Sequence, residues 1–159
     1  MAPTLSFSPR RRHILRTIQK ERMTTETNLG YSDARKAIDA IVAAAHKDEK
    51  AITVAVSDSH GELVALARME GAPLQTVTIA TNKAWIAARE GKPSGDIGRK
   101  SRDPQHAFDI AYYGDSRAIG WNGGIPVKID GKTVGAVAVS GLSGEEDVRL
   151  AEIGIAAIK

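Results

Sequence analysis

Two cationic residues stand where the surrounding sequence is apolar. Arg68 closes the run Leu63-Val64-Ala65-Leu66-Ala67, and Lys83 sits in the alanine-rich stretch Ala80-Thr81-Asn82-Lys83-Ala84. Burying either one requires an anionic partner. If the two converge at one end of a sheet, they would hold a carboxylate by charge-assisted hydrogen bonds. If the partner is internal, Glu70, Asp58 and Asp147 are the candidates. Glu145-Glu146-Asp147 would suit a hard cation or, at a helix start, the helix dipole and cap. Trp121-Asn122-Gly123-Gly124 would line a pocket or make a hairpin corner.

Other chemistries are missing from the sequence. The chain has no Cys, which removes disulfides, thiolate metal sites and a Cys nucleophile. No spaced His/Asp/Glu triplet forms a metal motif, and no nucleophile–base–acid triad is apparent. Gly91-x-x-x-Gly95-x-x-Gly98 lacks the Lys-Ser/Thr and the preceding strand of a phosphate loop.

The elements that must position these residues can be read from periodicity. Tyr31-Ser32-Asp33 supplies a helix cap, and Ala34, Ile38, Ile41, Val42 and Ala45 predict a helix over about 33–47. Residues 52–57 and 62–68 read as a hairpin around Asp58-Ser59-His60-Gly61. A second helix over 74–89 offers Val77, Ala80, Ala84 and Ala87 for close packing, although its β-branched start is unfavourable. Lys92-Pro93-Ser94-Gly95 reads as a polar connector, and Asp103-Pro104 as the opening of a short helix over 104–113 with Phe108, Ala111 and Tyr112 inward. Residues 117–121 and 124–129 then read as a hairpin, followed by a tight Asp130-Gly131 turn and a strand over 132–140. Ser143 with Glu146 makes a capping box for a closing helix, whose stripe is Val148, Ala151, Ile155 and Ala156 or Ile158. Hairpin-linked strands covered by helices predict an α+β fold with five antiparallel strands.

At 159 residues this is one domain able to bury a core without staples. Aromatic residues are only 4%, so the core must be Ala, Val, Ile and Leu. The net charge of +3 hides an asymmetry: residues 1–22 carry a net of +5, leaving −2 for the rest. A body without basic excess argues against a nucleic-acid surface. Residues 1–30 read as a basic, disordered tail and 31–159 as the domain. Arg10-Arg11-Arg12 resembles a twin-arginine signal, but charge interrupts the apolar run that such a signal needs, and Met23 is an alternative start. No stretch reaches the length of a membrane span, so the expected location is the cytoplasm.

In order and spacing, a set of segments resembles the GlcG/HbpS-like family over roughly residues 31–159. These are Asp58-x-x-Gly61, Arg68, Ala80-x-x-Lys83-Ala84, Gly123-Gly124-Ile125-Pro126-Val127, Gly135-Ala136-Val137-Ala138-Val139-Ser140-Gly141 and Glu146-Asp147. Ala138 departs from the usual Gly-Val-Ser-Gly, and Thr76 stands where Ser is usual. The resemblance implies a profilin-like or PAS-like sheet flanked by helices. It implies compact homo-oligomers, octamers in some members, and binding of haem or a related tetrapyrrole in certain members. Other members accompany small-molecule catabolic enzymes.

Haem needs an apolar slot, cations for its propionates and an axial ligand. Arg68 and Lys83 are the cations. His106, near Phe108, Tyr112 and Tyr113, is the favoured metal ligand. His46 reads as a helix-end cation and His60 as a solvated hairpin tip. The resemblance also implicates a hydroxyl, which brings in Thr76, Thr78 and Ser140. The leading expectation is a cytoplasmic, oligomeric haem binder with Arg68, Thr76, Lys83, His106, Gly123, Gly124 and Ser140 at its site. The alternative is an isomerase or lyase in which Arg68 and Lys83 hold a small carboxylate substrate.

Overall fold

The computed structural model describes residues 25–158, so the readings of the basic tail, the export signal and the Met23 start lie outside the described residues. The elements run α1 (Tyr31–Lys47), β1 (Thr53–Asp58), β2 (Leu63–Arg68), α2 (Gln75–Glu90), α3 (Ser94–Ser101), a 3-10 turn (Ile110–Tyr113), β3 (Gly124–Ile129), β4 (Lys132–Ser140) and α4 (Gly144–Ile158). The strands form one sheet in the order β2-β1-β4-β3, and every pairing is antiparallel. The α+β class stands, and the strand number is corrected from five to four among the described residues.

The two faces of this sheet differ in residue size. Val54, Val56, Val137 and Val139 point to one side, where they pack with Ala37, Ile38 and Ile41 of α1 and Leu150 and Ala151 of α4. The period of two then sends Ala55 and Ala138 to the other side, against Ala80 and Ala84 of α2. Ala136 meets Ala87 and Ala88 one turn further along. With no large side chain between them, α2 and the sheet come close enough for short polar side chains to bond directly across the contact. Ser57 Oγ donates to the Ala84 carbonyl at 3.3 Å, and the Thr53 and Thr76 hydroxyls meet at 2.7 Å. Packing thus overrides the β-branched start of α2. The hydroxyls of Thr76 and Thr81 are used locally, donating to Pro73 O and Val77 O.

Local chemistry sets several boundaries. The Asp33 carboxylate accepts from the Gly30 N–H, so α1 begins two residues before the predicted start. The Asp58 carboxylate accepts from His60 N and Glu62 N and closes the first hairpin. In the second hairpin Ile129 pairs with Lys132. The two intervening residues, Asp130 and Gly131, both have positive φ (49° and 77°), which is the primed turn that a right-twisted hairpin requires. Ser143 and Glu146 form the predicted capping box: Glu146 N donates to Ser143 Oγ, and Ser143 N donates to the Glu146 carboxylate. The stripe of α4 is rotated from the expected one, burying Asp147, Leu150, Ala151 and Gly154. At Gly154 there is no room for a side chain, because a Cβ would lie 2.4 Å from Ile41 Cδ1.

The largest correction concerns residues 92–123. The supposed connector contains helix α3, the helix placed over 104–113 is a 3-10 turn over Ile110–Tyr113, and residues 117–121 form no strand. This segment packs on the outer side of α2, where Phe108, Ile110, Tyr113, Ala118 and Ile119 surround Trp85, Ile86 and Ile97. Phe108 turns inward as predicted, whereas Ala111 and Tyr112 are exposed. Arg89 and Arg117 place their guanidinium carbons 5.0 and 4.5 Å from the Trp85 ring, and Tyr113 meets that ring edge-on. Gly95 and Gly98 are poor helix formers, which hid α3 from a reading by propensity. They are needed for contact, since a Cβ on Gly98 would fall 2.0 Å from the Gly120 carbonyl oxygen. Gly98→Ala is expected to cost about 1–3 kcal/mol through overpacking, measured by urea unfolding. An unchanged midpoint would show that α3 does not press on residue 120.

Candidate functional site

A cleft of about 580 Å³ opens between the start of α2, helix α3, the Gly120–Asn122 stretch and the β4–α4 junction. It reaches the small-residue face of the sheet at Ser140, the last residue of β4. Thr76 and Lys83 contribute from α2, Arg99 and Arg102 from α3 and its C-terminal end, and Trp121 and Asn122 from the returning segment. Ile79, Leu142 and Pro73 add apolar surface. Four lining positions, Gly95, Gly120, Gly141 and Gly144, are glycine, so much of the wall is bare backbone. The volume lies within the roughly 300–1,000 Å³ of ordinary small-molecule sites.

Lys83 and Asp147 form the floor. Both side chains are 3% exposed, and Lys83 Nζ stands 2.9 Å from Asp147 Oδ2. Lys83 also donates to Val139 O at 3.0 Å, and Asp147 Oδ1 accepts from Leu142 N at 3.2 Å. An ammonium has three donors, and these two bonds use two of them. Burial pushes the Asp147 carboxyl above its usual range, opposed by the hydrogen bond and charge of Lys83. Of the three internal partners open to Lys83 in the sequence, Asp147 is the one it meets.

The backbone is shaped around this pair. Gly123 has φ +114°, and a Cβ there would lie 2.7 Å from Val139 O, 2.8 Å from Asp147 Cβ and 3.0 Å from Lys83 Nζ. A Cβ on Gly124 would lie 2.4 Å from the Lys83 carbonyl oxygen. The two glycines therefore support the floor from behind, while their neighbours Trp121 and Asn122 line the cleft. Ser94 fixes this corner: its hydroxyl donates to Trp121 O and accepts from Gly124 N.

Thr76 and Ser140 are buried and line the cleft with Lys83. The Thr76 hydroxyl already donates to Pro73 O, so its bond with Thr53 is one it accepts. Arg68 is level with Thr53, which is level with Ser140; it therefore occupies the same row of the sheet but two strands away, about 10 Å. Its guanidinium donates to Ala72 O at 2.8 Å, and it does not line the cleft. His106 is 79% exposed beside Asp103 and also lies outside the cleft. His46 and His60 are exposed as well. Among the described residues no group of three or more His, Cys, Asp or Glu side chains comes together. Glu146 caps α4, where its bonds to Ser143 keep its carboxyl below the usual range.

Sequence reasoning missed Arg99 and Arg102. Arg99 is paired with Asp96, whereas Arg102 has no ion-pair partner among the described residues and lines the cleft unneutralised. The charges at 99–102 carry a signal, but it has meaning only when residues 94–101 form a helix beside the cleft. Outside the cleft, Arg117 bonds Asp115 through its side chain and backbone and holds that carboxyl at about 2.

Removing one member of a buried pair strands the other. Lys83→Met is expected to cost about 3–5 kcal/mol, and adding Asp147→Leu should recover part of that loss. A double variant no more stable than the single one would contradict the pairing. The raised Asp147 carboxyl also sets a sign with pH. Its contribution to stability is fullest below the ordinary value of 3.8 and declines as pH rises through the raised folded value. Stability measured against pH should therefore fall less steeply across that window in Asp147→Asn than in the wild type. Parallel curves would contradict the shift.

Comparison with known proteins gives one family. The model for haem-degrading, HbpS-like proteins matches residues 29–156. Protein GlcG of Escherichia coli K12 is 32% identical over 118 residues, covering 74% of this chain and 85% of that protein. The crystal structure of HbpS superposes with a TM-score of 0.77 at 30% identity, covering 87% of this chain and 96% of that one. The structure of a PduOC–heme complex superposes with a TM-score of 0.76 at 24% identity, over 82% and 95%, and shows a shared fold.

Proposed function

We propose that this chain, which belongs to the HbpS-like family, binds haem or a related flat tetrapyrrole in the cleft beside α2. The observation that carries the reading is a single cleft that combines apolar walls with an unneutralised cation. Ile79, Leu142 and Trp121 offer surface for a macrocycle, and Arg102, with Arg99 beside it, stands where propionates would be received. The four bare glycines let a flat ligand lie against backbone. The family's description as haem-degrading supports the ligand, and so does the complex of the PduOC fold with heme.

The donor set fits a weakly ligated iron. Among the described residues no His, Met, Tyr or Cys lines the cleft, so within one chain the hydroxyls of Ser140 and Thr76 are the groups that would hold the iron. Lys83 is engaged by Asp147. Arg68 and His106 would act at a haem only if another copy brought them to the cleft. Bound haem would supply a redox-active iron. The chain's own part is to fix the carboxylates, exclude water from the glycine-lined wall and hold the floor rigid.

A homo-oligomer is part of the same reading. Leu74, next to the lining residues Pro73 and Gln75, is 75% exposed, and Trp121 on the cleft itself is 58% exposed. A second copy covering them would close the cleft. Among the described residues no helix is long and apolar enough to cross a membrane; the proposed cytoplasmic location comes from the sequence, and the accessory role beside catabolic enzymes from the resemblance.

Titration of the full chain with hemin should shift the Soret band and saturate at one haem per chain. The absence of a shift at micromolar protein would overturn the proposal. Arg102→Ala should weaken binding about tenfold, the loss of one charge-assisted bond. His106→Ala should leave the Soret position unchanged if the ligand is internal and move it if a neighbouring copy supplies His106.

A further inference from the structure

A buried ammonium–carboxylate pair at the bottom of an open cleft needs an explanation that stability does not provide. Replacing such a pair by apolar groups of similar volume is often neutral or stabilising. Here the chain has moved the other way, placing two glycines, one at φ +114°, where any Cβ would strike Lys83 or the atoms around it. Lys83 nevertheless lines the cleft, with one ammonium proton uncommitted among the described residues. Arg102, which has no ion-pair partner among the described residues, lines the same cleft.

We propose that Lys83 is a carbonyl-capturing amine, condensing with a small oxo acid whose carboxylate is held by Arg102, with Asp147 as the proton carrier. The step is independent of haem. The proton moves from Lys83 Nζ to Asp147 Oδ2 across 2.9 Å, leaving a neutral amine beside a neutral acid. Burial raises the affinity of Asp147 for a proton, which lowers the cost of that exchange. The Nζ lone pair forms a bond to the carbonyl carbon while the carbonyl oxygen takes the proton from Asp147. Asp147 then removes one proton from the new ammonium and returns it to the hydroxyl. The C–O bond breaks and water leaves. The product is an iminium cation facing the Asp147 carboxylate, so the floor carries the same charge pair before and after. Nothing is oxidised or reduced. Val139 O holds the nitrogen in place, and lysines in desolvated sites are the usual residues for this chemistry.

The test is reductive trapping. The full chain is incubated with pyruvate and sodium cyanoborohydride, and modified lysines are located by peptide mass mapping. Lys83 should be alkylated at least about tenfold faster than the exposed Lys36, Lys47 and Lys100, with a mass gain equal to the reduced pyruvate imine. Excess acetate, competing for Arg102, should slow Lys83 alone. Lys83→Arg, which keeps the charge pair, should lose the adduct without unfolding. Asp147→Asn should lower the trapping rate about 100-fold, as expected for loss of general acid–base assistance. Labelling confined to exposed lysines in the wild type would overturn the proposal, and that measurement needs no variant to fold. A negative hemin titration would leave this result standing, and a failure of trapping would leave haem binding standing.

Discussion

Lys83 is buried where three elements meet, and the arrangement of the cleft follows from keeping its charge satisfied. It projects from α2, donates to the last part of β4 at Val139, and pairs with Asp147 in the first turn of α4. An unpaired charge at this depth would cost several kcal/mol, so the three elements are fixed relative to one another. Asp147 in turn accepts from Leu142 N and holds the β4–α4 junction. That junction is one wall of the cleft.

Lys83 can occupy this position because the sheet is bulky on one side only. Valines face α1 and α4, whereas Thr53, Ala55, Ser57, Ala136, Ala138 and Ser140 face α2. A helix of alanines laid on a surface of alanines approaches closely, and Thr53 and Ser57 near the ends of β1 find partners on the helix. The segment from α3 to Gly123 then covers the outer side of α2, with Trp85 as its anchor. The cleft is the space that this segment leaves open at the N-terminal half of α2.

The fold was legible where a local rule acts alone. The alternation of β1 and β4, the Asp130-Gly131 turn and the Ser143–Glu146 box each follow from residues close together in sequence. The region from 92 to 123 was not legible in this way. A helix containing Gly95 and Gly98 has little intrinsic stability and exists because those glycines admit Asn122 and Gly120. Ala118 and Ile119 carry no strand partner, because their side chains are used against the Trp85 cluster.

For the candidate site, residue chemistry singled out Arg68 and Lys83 alike as cations that would require burial and offered Asp147 among their partners; Lys83 is buried and Arg68, at the end of its strand, is exposed. The requirement for charge compensation in an apolar stretch is a local property. The choice among Asp58, Glu70 and Asp147, the separation of Arg68 by two strands, and the recruitment of Arg102 were decided by tertiary structure. Each depends on which elements lie side by side, a matter of long-range packing that no spacing along the chain encodes.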